Sequence, residues 1–214
     1  MADKKVWIAD GHHRYETACA FRAALGEREV PVAEDYMMMA LSSMADPGLV
    51  LLPTHRILKN LPYGTEQLLA RLAPVFERRE VPASALADEL REAPTHMFGL
   101  ATPGMCYLLG PKNNVEPAGD GSEALRALDV SVLHRTILER LLGVQGLESI
   151  AYTRDEDEAI RSVDAGAACA FLMNPPTVDD MRTIALGGEK MPQKSTYYFP
   201  KILSGLLVWS LNDF

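Results

Sequence analysis

The segment IADGHHRYETA, at residues 8–18, places two histidines and an arginine directly after an Asp-Gly pair. The residues just before that pair are apolar and β-prone. Ala18, Phe21 and Leu25 then recur on one helical face, which ends at Gly26. The sequence therefore predicts a strand, a tight turn and a helix. Backbone N–H groups at such a helix start lack intrahelical partners and, with the helix dipole, attract anions.

The side chains of this segment suit a phosphate group. Gly11 permits a left-handed turn and close approach of a ligand, and Arg14 can bind an oxyanion through two N–H groups. His12 and His13 can donate hydrogen bonds or carry protons near neutral pH, and they are the candidate catalytic residues. Asp10 belongs to the same turn, and the alternative is that it simply caps an ordinary helix. No HxxxH spacing accompanies the adjacent histidines, so no metal site is predicted.

Two further clusters of the sequence carry cations. PTHRIL, at residues 53–58, follows an apolar stretch and is predicted to be a loop. EKMPQKSTYYFPK, at residues 189–201, is a basic segment in an acidic chain and contains hydroxyl groups that can donate to phosphate oxygens. The alternative for each is a solvated turn. We expect all three clusters to meet in space. The phosphate-binding candidates of the second and third clusters are Thr54, His55, Arg56, Lys194, Ser195 and Thr196.

Strand-like and helix-like segments alternate along the chain, which predicts an α/β (α+β) protein with a mixed sheet and interleaved helices. Predicted strands include residues 36–44 (YMMMALSSM) and 205–211 (GLLVWSL). HMFGLAT and MCYLLG, separated by Pro103 and Gly104, predict a β-hairpin. Residues 111–122 are rich in turn formers, so they mark a boundary between a region at 1–110 and a second α/β subdomain at 111–214.

Composition limits the partners of this chain. Its 214 residues carry a net charge of −8, which argues against nucleic acid as a partner but permits a local cationic pocket for a small anionic ligand. The three cysteines are isolated from one another, as in a reducing compartment. Apolar runs fall short of the roughly 20 residues that span a bilayer. We therefore expect a cytoplasmic protein without a membrane partner.

Several stretches together resemble the bacterial and archaeal domain of unknown function 1015 family: ADGHHRYETA, MADPGLVLLPTHRIL, LDVSVLH, FLMNPPTV and MPQKSTYYFPK. That family is similar to the ParB/sulfiredoxin-like superfamily, which includes nucleotide-hydrolysing ParB proteins, sulfiredoxins and free-serine kinases. The resemblance implies that the turn at residues 10–14 approaches nucleotide phosphates. It implies ATP or ADP, with Mg²⁺, as the cofactor, and it places residues 1–110 in the C-terminal part of the nucleotide-binding region.

The function that this resemblance implies is nucleotide or phosphate binding, in a small-metabolite (amino-acid) kinase or a nucleotidase-like phosphotransferase. The alternative is a non-catalytic, nucleotide-binding regulatory protein of the ParB-like type. Members of the family normally carry a sizeable segment before the DGHHR motif, whereas nine residues precede it here. The chain therefore resembles the C-terminal portion of a longer protein. Either that N-terminal segment or a second copy of the chain is the expected partner.

Overall fold

The structure is a computed structural model that describes residues 3–27, 29, 31–113, 118–146, 148–203 and 205–211. The chain divides into two compact units. The terminal unit consists of residues 1–50 and 198–214, and the sheet unit consists of residues 51–197. This division does not follow the boundary predicted at 110–111, because strands before and after that loop join one sheet.

Strands and helices alternate along the described chain. The strands are β1 (Val50–Leu52), β2 (His55–Leu58), β3 (Phe76–Val81), β4 (Phe98–Thr102), β5 (Met105–Pro111), β6 (Ile150–Thr153), β7 (Cys169–Leu172) and β8 (Tyr197–Phe199). The helices are α1 (His12–Ala24), α2 (Thr65–Leu72), α3 (Ala83–Arg91), α4 (Glu123–Arg126), α5 (Asp129–Ser131), α6 (Glu156–Asp164) and α7 (Val178–Leu186). A π-helix over Val132–Leu141 continues α5, and Ala33–Asp35 form a 3-10 turn.

Six strands of the sheet unit form one sheet in the order β3-β5-β4-β7-β2-β6, and each of these pairings is antiparallel. The predicted α/β class with interleaved helices is confirmed, although the sheet is antiparallel where the sequence predicts a mixed one. The predicted hairpin is also confirmed. Thr102 of β4 pairs with Met105 of β5, and Gly104 makes the turn with φ 81°. Strands β1 and β8 form a separate two-stranded sheet.

The sheet is buried on both faces, so the sheet unit has two apolar cores. Leu58 and Phe171 belong to the core that includes residues of α2 and the π-helix. Ile57 and Leu172 point the opposite way, into the core that includes residues of α3 and α6. Because successive strand residues alternate between faces, β2 contributes to both cores, and all four of its residues are buried.

The burial of β2 corrects the prediction that residues 53–58 form a loop. His55 pairs with Thr153 of β6 on one side, and Arg56 pairs with Phe171 of β7 on the other. A histidine and an arginine are not typical of a buried central strand, so the sequence does not predict this strand. Both faces are covered here, so the usual alternation of apolar and polar residues is missing.

The terminal unit holds the opening motif and has little buried surface of its own. None of the described residues of α1 is buried. Arg22 Nε donates to Asp35 Oδ1 at 2.8 Å, and Trp209 Nε1 donates to the Ala33 carbonyl at 3.1 Å. These contacts tie the helix and residue 209 to the 3-10 turn, so polar contacts supplement sparse apolar packing in this unit.

Three strands that the sequence predicts in the terminal unit are not formed. Residues 6–9, 36–44 and 205–211 carry neither helix nor strand. The side chains of Met39 and Val208 are 59% and 82% exposed. Apolar, β-prone residues form a strand only beside a partner strand, and none of the described segments pairs with these three. The opening motif is therefore a turn and a helix without a preceding strand.

Helix starts in the sheet unit follow their sequence signals. Asp155 caps α6 by accepting a hydrogen bond from the Glu158 N–H at 2.9 Å. Thr177 and Asp180 form a capping box at the start of α7. No helix among the described residues combines the length and apolar character required to cross a bilayer.

Candidate anion-binding site

The start of α1 has the local geometry that an anion requires. Gly11 is the N-cap residue, with φ 84°, and no side chain caps the first turn. The carboxylate of Asp10 accepts the Gly11 N–H at 2.9 Å and so does not cap the helix interior. The first turn contains no acidic residue. Its N–H groups and the positive end of the helix dipole are therefore available to a negatively charged ligand.

Arg14 folds back over Gly11. A Cβ added to Gly11 would lie 3.0 Å from Arg14 Nη2 and 3.1 Å from Arg14 Nε. The guanidinium group thus lies at the same end of the helix as the uncapped N–H groups. His12 and His13 are exposed, and His13 Nδ1 lies 3.8 Å from Glu16 Oε2. The first turn therefore presents one permanent cation and two imidazoles to solvent.

Asp10 is held by a residue from the far end of the sequence. Lys201 Nζ donates to Asp10 Oδ2 at 3.0 Å within the terminal unit. This hydrogen bond holds the pKa of Asp10 below its ordinary value. Lys201 comes from the third cationic cluster, so part of that cluster reaches the opening motif. The ion pair fixes Asp10 on Gly11 and offsets its negative charge.

The second cluster lies in the sheet unit and is buried. The Arg56 side chain is completely enclosed, and its partners are neutral. Its Nε donates to His134 Nε2 at 3.0 Å, its Nη1 donates to the Thr54 carbonyl, and Tyr152 lies 5.6 Å below the guanidinium. Burial lowers the pKa of Arg56 to about 10. Arg56 is therefore a buried cation held by carbonyl, imidazole and aromatic groups.

His55 is buried on the opposite face of β2. Its Nδ1 accepts the Met173 N–H at 3.3 Å, so the proton of the neutral ring lies on Nε2. Nε2 has no hydrogen-bond partner in the part of the chain that the structure describes. Burial lowers the pKa of His55 to about 4, and burial likewise lowers the pKa of His134 to about 4. Both rings are therefore neutral at physiological pH.

The second and third clusters contact each other. Arg56 Nη2 donates to the Lys194 carbonyl at 3.0 Å. The Lys194 side chain is exposed, whereas Ser195 is buried and its hydroxyl donates to the Pro192 carbonyl. Thr196 is half-buried. The sheet unit thus brings together parts of two of the three clusters predicted from the sequence, and Lys194 is an exposed cation at their contact.

Sequence reasoning did not select several residues that complete this arrangement. Arg154 lies over the Tyr197 ring, 3.8 Å from its centroid, and Arg56 Nη1 lies 3.0 Å from Met173 Sδ. These residues are far apart in sequence and share no motif spacing. Only the register of β2 with its neighbours could have placed them together.

A cavity elsewhere in the sheet unit involves none of the predicted residues. It has a volume of about 240 Å³ and lies beside the β4–β5 turn and the start of α3. Met105, Ile160 and Val163 are among its largely apolar lining residues. Among the described residues, no group of three or more histidine, cysteine or acidic side chains is arranged to hold a metal ion.

Comparison with known proteins establishes the family. A model of the family described as "Protein of unknown function (DUF1015)" matches residues 1–131. Because this match covers more than half of the 214 residues, the chain belongs to that family. The resemblance inferred from the motifs is thereby confirmed at the level of the family. A search of curated proteins found no match.

Solved structures with detectable similarity include free serine kinases. A free serine kinase in complex with AMP is 17% identical, with a TM-score of 0.45, and a mutant in complex with ADP is 16% identical, with a TM-score of 0.47. Each match covers 89% of this chain and 66% of the kinase chain. A conserved hypothetical protein from Pyrococcus furiosus is 16% identical, with a TM-score of 0.45, over 89% of this chain and 68% of its own. The chain thus spans less than two thirds of the kinases' length.

Proposed function

We propose that this protein binds the phosphate group of a nucleotide at the start of α1. The observation that carries the proposal is the uncapped first turn, where Gly11 has φ 84° and the Arg14 guanidinium lies against it. A phosphate oxygen there accepts backbone N–H groups and pairs with Arg14. A side chain at position 11 would fill the space that the guanidinium uses, so glycine and arginine act together.

The residues of this turn have distinct roles in the proposal. Arg14 supplies the permanent charge and a planar set of donors that matches phosphate oxygens. His12 and His13 are exposed and can stabilise developing charge or pass a proton at neutral pH. Asp10, paired with Lys201, holds the Gly11 N–H and shapes the turn. Phosphoryl transfer requires mainly such positioning and charge neutralisation.

The finer proposal is phosphoryl transfer from ATP or ADP to a small metabolite such as an amino acid. The family resemblance described from the motifs suggests this substrate class. Because the first turn contains cations and no acidic residue, the chain's own groups suit the phosphates. Mg²⁺ would be bound by the nucleotide phosphates, where it would neutralise charge.

Thermal unfolding with and without ligand tests the binding proposal. We expect ADP, ATP and pyrophosphate, each with Mg²⁺, to raise the Tm of the 214-residue chain, because a ligand of the folded state stabilises it. Arg14→Ala should remove most of that increase. Arg22→Ala, which removes an arginine from the far end of the same helix, should keep the increase even if its own Tm is lower.

Equal ligand-induced increases in the Arg14→Ala and Arg22→Ala proteins would contradict the proposed site. Product analysis with a panel of amino acids that includes free serine then separates a kinase from a protein that only binds. Nucleotide binding without any phosphorylated product would leave the site standing and remove the transferase activity.

A further inference from the structure

A set of cations lies at one end of β2 and β6 in the sheet unit. We call Arg56, Arg154 and Lys194 the sheet-unit cation cluster. In the antiparallel register, His55 pairs with Thr153, so Arg154 lies one position beyond the last pair. Arg56 donates to the Lys194 carbonyl, so residue 194 lies beside β2. Three residues later, the Tyr197 ring contacts the Arg154 guanidinium. Three positive charges therefore come from three separate parts of the sequence.

The cations of this cluster make no close ion pair, although Asp155 and the acidic first turn of α6 follow Arg154 directly in the sequence. Within residues 51–113, 118–146 and 148–197, none of the three cations lies within ion-pair distance of a carboxylate. By contrast, Arg79, Arg91 and Arg135 each contact a glutamate or aspartate. Enclosing a guanidinium without a counter-ion is costly. An anion bound near Arg56 would offset part of that cost.

Lys194 adopts an unusual backbone conformation. Its φ is 58°, in the left-handed region that a residue with a Cβ adopts only at a cost in free energy. The buried Arg56 donates to its carbonyl, which fixes the orientation of this peptide, and Ser195 closes the turn onto Pro192. Strain of this kind persists where the surroundings hold a residue in place. Here they hold an exposed lysine beside the sheet.

Arg154 is prearranged in a different way. Its guanidinium carbon lies over the Tyr197 ring, at 3.8 Å from the centroid. This contact uses the positive charge of the guanidinium and does not require its N–H donors, which lie in the guanidinium plane. None of these donors makes a hydrogen bond to the residues that the structure describes. A planar, oriented guanidinium is suited to binding two oxygens of one phosphate group.

We propose that Arg154 and Lys194 form a second anion-binding site, which takes a phosphate group, and that Arg56 is its positioning residue. All residues of this site belong to the sheet unit, whereas the turn at residues 10–14 belongs to the terminal unit. A phosphate group fits better than a carboxylate, because its charge of about −2 can balance more than one cation. Ser195 and His55 do not bind this anion directly, because both are buried and act within the fold.

Calorimetric titration of the 214-residue chain with pyrophosphate at low ionic strength tests this site. The titration is done in the Arg14→Ala background, so that the terminal unit does not contribute. We expect binding to remain in that background, and Lys194→Gln to weaken it at least tenfold. Arg154→Lys, which keeps the charge but loses the planar donors, should weaken it by a smaller factor. Arg78→Ala and Lys59→Ala, at exposed positions of the same unit, should leave the dissociation constant unchanged.

The outcomes separate this site from the proposed function. If Lys194→Gln and Arg154→Lys both bind pyrophosphate as the Arg78→Ala protein does, the second site is refuted. If Arg14→Ala alone removes all binding, the second site is also refuted, while the site at α1 stands. If Arg14→Ala has no effect and Lys194→Gln removes binding, the second site stands and the proposed function fails. Malonate binding as tightly as pyrophosphate would overturn the assignment to phosphate.

Discussion

Gly11 and Arg14 form one structural unit at the start of α1. The glycine permits φ 84°, and the absence of a side chain lets the guanidinium approach the backbone closely. A β-carbon at 3.0 Å from Nη2 is closer than packing normally allows. The turn conformation and the position of the Arg14 guanidinium therefore both depend on the absence of a side chain at position 11. Adding one methyl group there tests this dependence.

Gly11→Ala should lower both stability and phosphate affinity. The left-handed φ costs alanine about 1 kcal/mol, and the new methyl group displaces the Arg14 guanidinium. Thermal unfolding with and without pyrophosphate measures the two effects. Gly26→Ala is the matched control, because Gly26 has φ 75° and nothing lies within 4 Å of its added Cβ. A full ligand-induced Tm increase in the Gly11→Ala protein would show that the position of Arg14 does not matter.

At the scale of elements, β2 and the π-helix meet through polar groups. Arg56 of β2 donates to His134 of the π-helix, so this imidazole must keep Nε2 unprotonated. His55 lies on the other face of β2 and is also buried. Burial lowers the pKa of each histidine to about 4 from its usual 6.5. The strand therefore depends on two neutral imidazoles.

Acid should destabilise the sheet unit between pH 6.5 and 4. In this window the unfolded chain takes up a proton on each histidine that the folded chain does not accept, so the free energy of unfolding falls as the pH falls. The loss approaches about 3 kcal/mol per histidine. Urea unfolding at a series of pH values measures it.

The control for this prediction compares two glutamine variants. His134→Gln should flatten the pH profile, whereas His13→Gln, at an exposed position, should not. His96 acts in the opposite direction in every variant, because its hydrogen bond with Asp129 raises its pKa and adds stability below pH 6.5. Profiles of the same slope for wild type and His134→Gln would contradict the prediction.

Sequence reasoning works for elements whose signals are local. The β4–β5 hairpin carries its turn residues within a few positions and forms as predicted. Helices α6 and α7 likewise carry their cap residues within a few positions of their first turns. Strand β2 fails this test because its identity depends on β6 and β7, more than 90 residues later. Residues 36–44 fail for the complementary reason, since apolar composition alone does not supply a partner strand.

The features of the candidate sites also divide into those with local sequence signals and those that depend on distant residues. The turn at Gly11 and the helix start follow from local residue types. The burial of Arg56 and its bond to Lys194 depend on the arrangement of the whole sheet. The pairing of Lys201 with Asp10 likewise joins residues from opposite ends of the chain.

At the scale of the whole molecule, the two units differ in how much they bury. The sheet unit contains both apolar cores, and every residue of β4 is buried. In the terminal unit, by contrast, Ala33 is the one buried apolar residue among those described. Burial of apolar surface is the main source of folding free energy, so stability is distributed unevenly along the chain.

Hydrogen–deuterium exchange at neutral pH should reveal this difference. We expect the amides of β4, β5 and β7 to exchange slowest, because their bonds lie inside the two cores. The amides of α1 should exchange much faster, since none of its described residues is buried. Peptide-level mass spectrometry resolves these segments. Protection of α1 equal to that of β4 would contradict the expectation.

The bond between Arg56 and the Lys194 carbonyl also bears on the order of folding. It joins positions 138 residues apart, and the bond between Arg56 and Met173 joins positions 117 apart. Contacts across such long loops form late, because the entropy of closing the loop must be lost before they contribute. The β4–β5 hairpin can form while Arg56 is still hydrated. We therefore expect Arg56 to lose its hydration only after Met173 and Lys194 have packed against β2, so the turn at Lys194 forms late in folding.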